Sequence, residues 1–193
     1  MKICVYGASS ASTEKSYIKE VEELGREIGR RGDSLIFGGG ADGLMGAAAR
    51  GVHETGGKIL GIAPKFFNVD GVLFENCTEF AWTNTMHERK KMMEDTSDAF
   101  IITPGGIGTF EEFFEALTLK QLGRHNKPIV IFNINGYYDK LTEFMRNAMD
   151  NNFLFDDCFS LYKMCGSVSE IFEYIDGYKT EGIKDEEEIL KKK

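Results

Sequence analysis

Short, wholly apolar runs alternate along the chain with longer stretches whose apolar residues recur every three or four positions. Ile3 to Tyr6, Ser34 to Phe37, Lys58 to Ala63, Ala99 to Ile102 and Pro128 to Phe132 have the length and the two-sided apolarity of strands buried in a parallel sheet. Thr78 to Ala81 and Leu161 to Cys165 read as weaker strands. Helices are predicted from about Thr13 to Arg31 (Tyr17, Val21, Leu24 and Ile28 inward), Leu44 to Glu54 and Thr85 to Thr96. Three more are predicted: one from Thr109 onward (Phe110, Phe113, Phe114 and Leu117 inward), one over Tyr138 to Met149 (Leu141, Phe144, Met145 and Ala148 inward) and one over Val168 to Tyr174. The alternation implies a doubly wound, Rossmann-like α/β domain over residues 1–177, a mainly parallel sheet with helices on both faces. Residues 178–193, with Asp-Glu-Glu-Glu and Lys-Lys-Lys blocks, read as a charged, solvated tail.

Ligands of such folds sit beyond the carboxyl ends of the strands, and three of those ends carry small-residue loops. In the first, Gly7 to Ser12, Ser9 offers a polar rim, while Ser12 or Thr13 serves equally as a helix cap. The second, Gly38 to Gly46, sets Gly39 and Gly40 either against a ligand or simply in a sharp turn. The third, Pro104-Gly105-Gly106-Ile107-Gly108, precedes Thr109, Phe110 and Glu111. Its glycines let backbone approach a ligand closely, and the free N–H groups of a helix start favour an anion, so a phosphate is the natural occupant.

Thr85-Met86-His87-Glu88 has the form of a capping box. In the helix that follows, Arg89 and Lys90 flank the stripe of Met86 and Met93. Cations beside an inward face need an anionic partner, a carboxylate or a ligand phosphate, unless they snorkel to water. The loop carrying Phe66, Phe67, Val69, Val72, Leu73 and Phe74 is expected to cover the core, its other use being to wall a ligand pocket. Thr109-x-x-Glu112 is itself a capping box. Glu111, Glu115 and Thr118 share one stripe and Glu112 falls nearly opposite the phenylalanine face, so spacing alone does not select one acid for chemistry.

The 193 residues suffice for one cored domain. A net charge of −8 argues against a nucleic-acid partner, and no apolar stretch approaches the ~20 residues that span a bilayer. Cys4, Cys77, Cys158 and Cys165 form no CxxC pair and His53, His87 and His125 stand apart, so a reduced, cytoplasmic protein without a metal site is expected.

Pro104 to Glu112 resembles the PGGxGTxxE signature of the LOG family, phosphoribohydrolases that activate cytokinin nucleotides and often carry a lysine decarboxylase label. Gly38 to Gly46 is similar to that family's GGGxxGLMG element and Met86 to Lys90 to its MHxRK element; the resemblance spans roughly residues 1–150. It implies hydrolysis of the N-glycosidic bond of a nucleoside 5′-monophosphate, AMP or an N6-substituted analogue, to the free base and ribose 5-phosphate. It also implies a catalytic pair at Arg89 and Glu112, and binding through Lys90, Gly106 to Glu112 and Thr118. No cofactor and a homodimer go with it. Two departures bear on which base is accepted: Leu119 after Thr118, where relatives have Trp, and Gly7-Ala8-Ser9-Ser10 in place of Cys-Gly-Ser-Ser. The alternative is a carrier of a nucleotide or pterin-type cofactor on the same fold. A pyridoxal-phosphate decarboxylase and a DNA-processing protein are the weaker readings.

Overall fold

The computed structural model describes residues 1–155 and 157–179. Seven strands form one sheet in the order β4-β3-β2-β1-β5-β6-β7, every adjacent pair parallel: β1 (Lys2–Tyr6), β2 (Ser34–Phe37), β3 (Lys58–Pro64), β4 (Glu79–Thr83), β5 (Ala99–Ile102), β6 (Ile129–Phe132) and β7 (Lys163–Cys165). The sheet is thus wholly rather than mainly parallel. Strand side chains alternate between two cores. Ile3, Val5, Leu35 and Phe37 face α1 (Lys15–Arg30), α2 (Gly43–Glu54) and α6 (Val168–Gly177). Cys4, Tyr6, Ile36 and Phe100 face α3 (Met86–Thr96), α4 (Ile107–Gln121) and α5 (Asp139–Asp150). Both faces are covered, which is why the strands read as continuous apolar runs.

The chain winds outward from β1 to β4, then returns to the other side of β1 at β5. The carboxyl ends of β1 and β5 therefore flank the switch point, the crevice where such sheets take ligands. The turn after β5 is fastened there by Thr103 N–H to Tyr6 O (2.8 Å) and Ala8 N–H to Pro104 O (3.0 Å).

Some expectations shift. Neither Ser12 nor Thr13 caps α1, which begins at Lys15 behind Glu14, and the Thr13 hydroxyl donates to Ser10 O instead (2.8 Å). Phe144 is 67% exposed because Tyr138, Leu141 and Met145 already cover the sheet from α5. The loop after β3 is not core cover along most of its length: Phe66, Phe67, Val69 and Val72 are exposed, and only Phe74 packs inward. From residue 180 onward the expected tail lies outside the described residues. At its first position the Tyr178 hydroxyl is bonded to Asn126 Oδ1 (2.9 Å).

Helices α1 and α2 touch through glycine. A Cβ on Gly25 would stand 2.2 Å from Ala48 O, and one on Gly51 2.1 Å from Glu22 O. Backbone cannot yield as a side-chain tip can, so Gly25→Ala is expected to destabilise the protein by roughly 3 kcal/mol in urea unfolding, with the m-value unchanged.

Candidate active site

Helix α4 begins at Ile107 with Gly106 as N-cap, two residues earlier than the apolar spacing indicates. Thr109 and Glu112 are therefore not a capping box, and Thr109 sits buried in the first turn. The first intrahelical bond is Phe110 N–H to Gly106 O (3.0 Å), so the amides of Ile107, Gly108 and Thr109 precede it and point out of the helix end. Gly106 and Gly108 have open space where a Cβ would be, and a Cβ on Gly105 would stand 2.1 Å from Thr109 Oγ1. Two tyrosines clamp the turn from behind: Tyr137 donates to Gly105 O (2.6 Å) and Tyr138 to Thr103 O (2.7 Å). Neither was singled out from the sequence by its chemistry. Their signal was the Asn-Gly before them, where Asn135 and Gly136 have positive φ and turn the chain back toward the site.

The inward face of α4 is Thr109, Glu112, Phe113, Ala116, Leu117 and Lys120, rotated from the expected one. Phe110 is half-buried and turned toward Tyr138, so only its backbone faces the turn. Phe114 is exposed, and Glu112, expected outside, is 8% exposed. What makes this burial tolerable is Arg89, 5% exposed, which comes from the inward face of α3 and donates through Nη1 to Glu112 Oε1 (3.1 Å). A second bond, Nε to Ile62 O (3.2 Å), fixes the guanidinium over the end of β3. Room for it comes from Gly38, where a Cβ would stand 1.9 Å from Arg89 Nη2. Burial pushes the Glu112 carboxyl up to about 7, with Arg89 opposing. The group can hold or release a proton near neutrality, as general acid–base chemistry requires.

Lys90, one step around α3, is ion-paired with Glu111 and with Glu115 (3.0 Å) on the outer stripe of α4. Thr118 continues that stripe, exposed, and stands roughly 16 Å along the helix from Ile107. Ser9 is exposed on the first loop. Gly39 and Gly40 contact the loop after β3, through Phe74 N–H to Gly39 O (2.8 Å) and a bridge from Gly40 to Leu73. The start of α2 is capped by the chain itself, Leu44 N–H donating to Ala8 O (2.7 Å). One chain thus brings together the glycine turn, Thr109, Arg89 and Glu112; Lys90 lines the cleft behind Glu112 while pairing with Glu111 and Glu115, and Glu111 and Thr118 are exposed on the outer stripe of α4.

His125 is buried with a determined tautomer: Nδ1 accepts from Lys127 N–H (3.2 Å), so Nε2 carries the proton given to Ala116 O (3.0 Å). His53 and His87 are exposed. Among the described residues the four cysteines are free, no group of His, Cys, Asp and Glu is placed to hold a metal, and no helix is long and apolar enough to cross a membrane.

Comparison with known proteins adds the following. Residues 45–175 match the sequence model of a family described as "Possible lysine decarboxylase". The cytokinin riboside 5′-monophosphate phosphoribohydrolase LOG2 of Arabidopsis thaliana is 40% identical over 153 residues, 79% of this chain and 72% of that protein. The enzyme LOG of Oryza sativa subsp. japonica is 36% identical over 190 residues, 96% and 78% of the two chains. The molybdenum cofactor carrier protein of Chlamydomonas reinhardtii superposes with a TM-score of 0.68 over 91% of this chain and 95% of its own. At 22% identity that likeness establishes the fold alone. Matched by the family's sequence model over most of its length and by LOG proteins at this level of identity, the chain belongs to the LOG family.

Proposed function

We propose that this protein hydrolyses the N-glycosidic bond of a nucleoside 5′-monophosphate, AMP or an N6-substituted adenosine monophosphate, giving the free base and ribose 5-phosphate. The observation that carries the reading is the buried Arg89–Glu112 pair, its acid on the helix that the glycine turn opens at the switch point. Relatives at 36–40% identity are named for this reaction.

The phosphate is assigned to the amides of Ile107, Gly108 and Thr109, where the helix dipole and the open glycines receive it. Anchoring the phosphate fixes the ribose. As the C1′–N bond breaks, its electron pair leaves with the base and positive charge builds on the sugar. The Glu112 carboxylate faces that charge, takes a proton from the water that attacks C1′ and passes it to the departing base nitrogen, which returns the carboxylate to its ionised form. Arg89 holds Glu112 and balances the substrate's negative charge.

Assembly as a homodimer belongs to the same reading. The surface formed by α3 and α4 exposes Met86, Met92 and Phe114, and Thr118 lies on the same stripe of α4 as Phe114. Sedimentation velocity is expected to give twice the chain mass. Among the described residues the decarboxylase reading finds no buried lysine at the switch point: the buried Lys120 is at the far end of α4, where its ammonium donates to Lys127 O (2.9 Å) and lies over the Tyr178 ring.

The test is a chromatographic screen of nucleoside monophosphates for free base and ribose 5-phosphate. Release from AMP or isopentenyladenosine monophosphate is expected, whereas binding without release from any nucleotide would favour the carrier.

A further inference from the structure

A narrow cleft runs between α3 and α4 behind the Arg89–Glu112 pair, lined by Tyr6, Lys90, Glu94, Glu112, Glu115, Ala116 and Leu119, with room for about one water (10 Å³). Tyr6 forms its floor. The residue is 4% exposed, on the last position of β1, with its ring stacked on Phe100. Packing explains the ring but not the hydroxyl, since a buried hydroxyl needs a partner. The Cys4 thiol, two residues back on the same strand face, is a weak partner, and Tyr6 lines the same cleft as Glu112.

We propose that Tyr6 is a positioning residue for Glu112: its hydroxyl donates across the cleft toward the Glu112 carboxylate, directly or through one water, whenever that carboxylate is ionised. A hydrogen bond to an ionised acceptor is about twice as strong as one between neutral groups, so this donation favours the ionised state. This rests on the catalytic reading of Glu112 for its consequence, but not for its measurement. The other groups facing Glu112 are Arg89, Lys90 and Glu94 from α3 and Glu111 and Glu115 from its own helix. None of them changes in the variants below.

Tyr6→Phe preserves the ring and its stacking. In unliganded protein labelled with 13C at glutamate carboxyls, the Glu112 signal, assigned by its loss in Glu112→Gln, is expected to titrate about one pH unit higher in Tyr6→Phe than in the parent. Tyr162→Phe, a buried tyrosine of the same core bonded to Met145 Sδ (3.9 Å), is expected to leave it in place. In the nucleotide assay the acidic limb of kcat/KM follows: Tyr6→Phe loses roughly tenfold at pH 6 and little at pH 9. Identical carboxyl titrations in Tyr6→Phe and the parent overturn the proposal. If no nucleotide is hydrolysed by either protein while the titrations still differ, the coupling stands and the assigned reaction falls.

Discussion

Glu112→Gln is expected to lower kcat for nucleotide hydrolysis by roughly 10²–10⁴-fold, with KM changed by no more than a few-fold. Gln keeps the shape and a hydrogen-bond acceptor for Arg89 Nη1 but can carry neither the charge nor the proton. The turn assigned to the phosphate is built from the start of α4 and its clamps, Tyr137 and Tyr138, none of which depends on Glu112. Ground-state binding is therefore expected to survive. The parent's kcat/KM should fall on the acid side. With the carboxyl near 7 in the free protein, the ionised fraction drops below that pH, and activity falls tenfold per unit. That limb must be absent from the residual activity of Glu112→Gln. Steady-state kinetics from pH 5 to 9 read both quantities. A variant that retains full kcat would remove Glu112 from the chemistry.

The fold was legible because both faces of the sheet are covered. Strands buried on two sides leave continuous apolar runs, and β2 and β5 begin and end where those runs do. The glycine turn before α4 was legible because its glycines are a local necessity. The buried acid was not. Apolarity placed Phe110 and Phe114 inward and Glu112 outward, the correct inference for an unpaired carboxylate, which burial penalises heavily. Glu112 is inside because Arg89, 23 positions earlier and on another helix, meets it there. The same spacing rule saw Arg89 beside the inward stripe of α3 and named a carboxylate as one possible partner, without the means to say which. The burial of Lys120 was not legible for a related reason: its ammonium meets a backbone carbonyl, Lys127 O, that only the folded chain brings near, and His125, read as standing apart, is likewise held by Ala116 O.

Gly38→Ala is the second large effect expected, and it acts on Glu112 without touching it. Gly38 has no positive φ, so alanine costs nothing in backbone conformation; the whole effect is steric. The new Cβ would lie 1.9 Å from Arg89 Nη2 and 3.0 Å from its Cζ, with Met45 Sδ 3.3 Å away on another side. The guanidinium can move, since it ends a flexible side chain, but moving it breaks the bonds to Glu112 Oε1 and Ile62 O that hold it. Displacing a positioned charge by about 1 Å is worth roughly 10²-fold in rate, and kcat/KM for the nucleotide is expected to fall by that much at pH 8. The fall should be steeper at pH 6, because a carboxylate deprived of its cation is protonated more readily and the acidic limb moves to higher pH. Folding should suffer modestly, by about 1–3 kcal/mol for the crowded site. Kinetics at the two pH values with a urea melt separate the effects: lost stability at unchanged pH dependence would mean that Arg89 does not govern the ionisation of Glu112.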